Sequence, residues 1–132
     1  MIDEEWAAVP RSIKLIVCGA AVVFSYGTVV HAVAIADRGL DAYERYPMWL
    51  ALYFTLLVVF DAVAALLLLL GRRIGLVLGC AVLATDAAAN GYANYVFDPG
   101  SGGAAGRVFQ AFITVLAIGL LTTAPRVWPW LR

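Results

Sequence analysis

Two acids lie deep in apolar sequence, Asp61 in "LVVFDAVAA" and Asp86 in "ATDAAANGYANY", and they are the side chains of this chain best placed to do chemistry. Asn90 and Asn94 follow Asp86 at intervals of four, so on a helix the three stand on one face. The single histidine, His31, ends another apolar run, "YGTVVHAVAIADRG". An aspartate at the centre of a membrane helix costs about 2.5 to 3.5 kcal/mol on insertion scales, so two of them require a compensating partner or a task. Two acids at one depth cannot both stay charged in a low-dielectric interior without a cation, and they are expected to share a proton. A histidine near them is a candidate proton partner or ligand.

These residues must be positioned by helices in lipid. The 132-residue chain is 64% hydrophobic and 14% charged, with a formal net charge of zero, and its mean hydropathy of +0.90 is far from that of a soluble domain. A helix needs about 20 apolar residues to cross the hydrocarbon. Four runs meet that length: 12–36, 47–70, 74–97 and 107–124. The expected fold is an all-α, antiparallel four-helix transmembrane bundle with short loops, filling residues 1–132 as one domain. Strand barrels are excluded by the missing two-residue alternation. The acidic start, "MIDEEW", is unlike a secretory signal, so the first span is expected to be retained. The uniform charge gives no basic surface for nucleic acid.

The turn "GRRIG" makes the second and third spans antiparallel neighbours. Asp61 lies about a dozen residues before it and Asp86 about a dozen after, so at 1.5 Å per residue the two come level near the midplane. The same counting sets Asn90 level with Thr114, Asn94 near Gln110, Thr28 near Thr55 and His31 near Tyr53. Gly75 and Gly79, a G-x-x-x-G pair in "GLVLG", share the Asp86 face and are expected to pack closely on another helix. Basic residues Arg11, Lys14, Arg72, Arg73, Arg126 and Arg132 fall on one side. They place both termini in the cytoplasm and the connections after the first and third spans outside. Trp6, Trp128 and Trp130 then mark the inner interface, and Tyr43, Tyr46, Trp49, Tyr92 and Tyr95 the outer one. Cys18 and Cys80 read as buried free thiols.

No metal or cofactor is expected, because H-x-x-x-H, paired cysteines, a P-loop and a dinucleotide fingerprint are all missing from the sequence. The four short-looped spans, with His31 in the first and acids deeper, resemble the EXPERA group, which includes emopamil-binding sterol isomerases and the sigma-2 receptor. That resemblance implies a pocket for a sterol or lipophilic amine, lined by an acid and a histidine. "LVVFDAVAALLLLLGRR" followed by "ATDAAANGYANY" also resembles small four-span bacterial membrane proteins, which implies the inner (plasma) membrane.

From these residues the chain is expected to hold an outward-facing polar pocket that binds a cation, proton or lipophilic amine, as part of transport. Asp61 and Asp86 would form its floor, Asn90, Asn94, Thr28 and Gln110 its walls, and His31 would stand near the mouth. Two alternatives are a membrane isomerase using His31 and an acid, and a non-catalytic subunit whose glycine face docks a partner helix. The reading leans away from an enzyme. Expected partners are membrane lipid, a small ligand or cation, and a second copy or a membrane subunit.

Overall fold

The computed structural model describes residues 6–100 and 102–132. The acidic residues of the N-terminus and Ser101 of the glycine-rich connection lie outside them. Four helices are long and apolar enough to cross a membrane, and the chain is a multi-pass, all-α membrane protein. They are α1 (Arg11–Arg38), α2 (Met48–Leu69), α3 (Arg73–Tyr92) and α4 (Gly103–Val127). A π-turn over Ala93–Phe97 extends α3, and 3-10 turns at Gly39–Tyr43 and Trp128–Trp130 follow α1 and α4.

Local chemistry sets the ends. Pro10 and Pro47 immediately precede α1 and α2, where the missing N–H costs nothing and the fixed φ favours a helical start. Gly71, at φ +66°, makes the sharp reversal between α2 and α3, a left-handed position that other residues rarely adopt. The turn is pinned by the tail: Arg132 N–H donates to Gly71 O (2.8 Å) and Arg73 N–H to Arg132 O (2.7 Å). Helix α4 begins at Gly103, four residues before the expected span at 107, since Ala104 and Ala105 are strong helix formers.

Each helix packs along its sequence neighbour, while α1 and α4 touch far less. The bundle is therefore closed on three sides and loose along one seam. Glycines set the tight sides. A Cβ on Gly75 would come within 2.7 Å of the α2 backbone at Leu67 and Leu68, and one on Gly79 within 2.9 Å of the Phe24 ring. Both glycines of the G-x-x-x-G pair are thus consumed inside the chain's own bundle, which removes that face as a dock for a partner helix. By contrast Gly19 and Gly119 meet nothing within 4 Å.

The two ends differ in kind. At the end carrying residues 39–47 and the π-turn, here the first-loop end, Tyr43 and Tyr46 pack on Phe54, Phe97 on Tyr46, and Trp49 on Tyr92. Arg45 pairs there with Asp98 at 3.1 Å, both half exposed, a bond of small worth in water. The terminal end holds Trp6 against the core and Arg73 over the Trp128 ring. Cys18 is exposed on the lipid side and Cys80 partly buried, so only the second fits the buried-thiol expectation.

Leucine at 79 has no room beside Phe24, whereas leucine at 119 enters open space. Overpacking of this kind costs about 1 to 3 kcal/mol. Gly79→Leu should therefore unfold well below wild type in detergent melts while Gly119→Leu melts close to it. Coincident melting curves for the two would contradict the packing.

Candidate functional site

The acids reach one cleft by different routes. Asp61 is 6% exposed, and its carboxyl lies over Gly27 of α1, where any Cβ would overlap Oδ2. Gly27 therefore supplies the space that admits this carboxylate, a role that glycine spacing in the sequence did not reveal. Among the described residues no donor hydrogen-bonds to the Asp61 carboxylate. Asp86 is better served. Asn90, one turn on, donates from Nδ2 to Asp86 Oδ1 at 2.8 Å and approaches Asp86 O at 3.1 Å, so the amide fixes the carboxylate's orientation.

Asp61, Asp86, Asn90 and His31 all border a cleft of about 160 Å³, with Gly27 beside them. Its remaining wall is apolar, with Phe24 and Val82 inside and Leu116 below. The lips are Tyr26 and Val30 of α1 and Phe109 and Phe112 of α4, all exposed within the spans. No residue of the described connections lines it. The cleft therefore opens sideways between α1 and α4, and not along the bundle axis as the expectation of an outward-facing mouth had it. The cause is topological: three seams are tied by short connections and the fourth is not.

His31 is held by a short bond, Nδ1 to Tyr43 Oη at 2.6 Å, and its ring stacks on Phe54 with centroids 6.2 Å apart. Tyr43, expected only as an interface aromatic, thus ties the first connection to the cleft. Tyr53 Oη and Thr85 Oγ1 form a separate link between α2 and α3 at 2.9 Å.

Three expected wall residues stand elsewhere. Thr28 turns its hydroxyl back to Phe24 O at 3.0 Å, the usual way a helical threonine satisfies itself in lipid. Asn94 does not border the cleft. It packs instead on the start of α4, where a Cβ on Gly102 or Gly106 would lie 2.7 or 2.8 Å from Asn94 Oδ1. Gln110 spans α4 to α3, donating to Ala87 O at 2.7 Å and to Thr114 Oγ1 at 3.2 Å. It comes level with Gly91 and not with Asn94, because α4 starts earlier than its apolar run suggests. Gln110 Oε1 is buried without a partner among the described residues.

Fold and geometry define a membrane protein with four candidate spans and an acid-bearing cleft between α1 and α4. The chain matches no family model, no curated protein and no solved structure.

Because Gln110 ties two helices and does not border the cleft, Gln110→Leu is expected to cost roughly 0.6 kcal/mol, the average for such a bond in a membrane, and to leave ligand binding at the acids unchanged. Loss of binding with stability intact would return Gln110 to the site.

Proposed function

We propose that this membrane protein binds a lipophilic amine, taken from the bilayer through the α1–α4 seam. One observation carries the reading: Asp61, buried as a residue, receives no hydrogen bond on its carboxylate from any described residue and borders a cleft that a second carboxylate, Asp86, also faces. A buried polar group without a partner is costly, and a buried charge far more so. An ammonium group with N–H donors supplies the missing hydrogen bonds and the opposing charge together, in a low-dielectric site where such bonds are strong. Phe24, Phe109 and Phe112 would take the apolar part of the ligand, with aromatic faces suited to a cation. A divalent metal fits less well, since calcium and magnesium take about six or more oxygens, beyond what two carboxylates and Asn90 provide.

Membrane-dissolved isomerisation, which the EXPERA resemblance implies, is the second reading. It is favoured by His31 bordering the same cleft as two acids, an acid–base set able to move a proton. A sterol double-bond shift in reconstituted vesicles, lost in His31→Phe, would move the assignment there.

The binding test uses protein in phosphatidylcholine nanodiscs, with N,N-dimethylbenzylamine as probe and isobutylbenzene as its neutral isostere. The amine should raise the melting temperature and the isostere should not. Asp61→Asn and Asp86→Asn should each weaken amine binding at least tenfold, about 1.4 kcal/mol. Equal responses to both probes, or none, would overturn the reading.

The basic residues near both termini and at Arg72 and Arg73 support an inner-membrane orientation with cytoplasmic termini. Leu40, 94% exposed in the first connection, offers the label site. With Cys18 and Cys80 replaced by alanine, Leu40→Cys should react with an impermeant maleimide added outside intact cells. Reaction only after lysis would invert the orientation.

A further inference from the structure

The acid-bearing cleft does not end at the acids. A second cavity, of about 340 Å³, runs along the same α1–α4 seam toward the terminal end, and Val23, Leu83 and Leu116 border both. Its walls hold Gly19 of α1 and Gly119 of α4, the two span glycines whose missing side chains leave open space. From Ile113, beside the acids, to Thr123 at the far end is ten residues of α4, roughly 15 Å at 1.5 Å per residue. That is half the thickness of the hydrocarbon layer. At 160 Å³ the upper cleft alone holds little more than one ring, as an apolar cavity of about 150 Å³ holds benzene. With the lower cavity added, the space enters the range of roughly 300 to 1,000 Å³ typical of small-molecule sites.

We infer that the ligand is an elongated, single-chain amine whose nitrogen lies at Asp61 and Asp86 and whose aliphatic body fills the seam between Gly19 and Gly119. This inference rests on the amine-binding reading and extends it to the shape of the ligand. The occupant is set by charge at one end, where the carboxylate of Asp61, a residue only 6% exposed, faces the cleft without a donor among the described residues, and by the adjoining apolar cavity at the other. The body gains little by leaving lipid for protein, because both are apolar. The channel therefore acts through close packing, as a selector of length and width. Short amines leave the lower cavity to bilayer chains.

Gly119→Leu and Gly19→Leu place side chains on opposite walls of the lower cavity, at positions where a Cβ meets nothing within 4 Å. Wild type and both variants, in phosphatidylcholine nanodiscs, are titrated with N,N-dimethyldodecylamine and with N,N-dimethylbenzylamine. Partitioning into the bilayer is common to all three proteins and cancels in the affinity ratios. The long amine should bind at least tenfold more weakly to each variant than to wild type, and the short amine should change less than twofold, at unchanged melting temperature. An unchanged affinity for the long amine, or a parallel loss of both, overturns the channel and leaves the acid pair standing. If neither amine binds wild type, the amine reading falls and this inference with it. Should one leucine variant melt early, the other, on the opposite helix, carries the comparison.

Discussion

Hydrocarbon offers no hydrogen bonds, and this absence governs where every polar side chain of the bundle ends up. Ser25, Thr28, Thr55, Thr122 and Thr123 each bond a carbonyl one turn back in their own helix. Tyr53 with Thr85, and Gln110 with Ala87, use the remaining demand to join neighbouring helices. Asn90 satisfies one oxygen of Asp86. Gln110 Oε1 and Asp61 break the pattern, the first buried without a partner among the described residues, the second an acid, 6% exposed, to whose carboxylate no described residue donates. A structural role would be served better by leucine at that position, with no polar group to satisfy. The acid is costly as packing and useful as a site.

The loose seam gives that acid its access. Short connections force α1 against α2, α2 against α3 and α3 against α4, whereas α1 and α4 share no connection and touch far less. Phe24 of α1 sets its ring against Gly79 of α3. Above Phe24 the seam opens onto Asp61, Asp86 and His31, and below it the channel continues past Gly19 and Gly119. Gly27 and Gly79 thus do opposite work. The first leaves room for a carboxylate, and the second lets a ring close the bundle beneath it.

Much of this is legible in the sequence. Apolar run length gives the four helices, and level-counting through the tight "GRRIG" turn brings Asp61 and Asp86 to one cleft, because two regular helices joined at Gly71 leave no slack in register. The same counting fails for Asn94 and Gln110. An early start for α4 at Gly103 shifts the level of its residues against α3, and it leaves no hydropathy signal. The direction of the mouth is also hidden, since it depends on which pair of helices lacks a connection and on the single residue Phe24. Tyr43 reads as an interface aromatic from its position, and its bond to His31 exists only once the first connection folds back over the bundle.

The account's central claim is that a ligand nitrogen completes the Asp61 carboxylate. Solid-state NMR of the bilayer-embedded protein, with ¹³C-labelled aspartate and a ¹⁵N-labelled long-chain amine, tests it most directly, with Asp61→Asn and Asp86→Asn assigning the signals. The account predicts dipolar contact between the nitrogen and the carboxyl carbons of both Asp61 and Asp86. Contact with neither, while the amine is bound elsewhere on the protein or only dissolved in lipid, would contradict it.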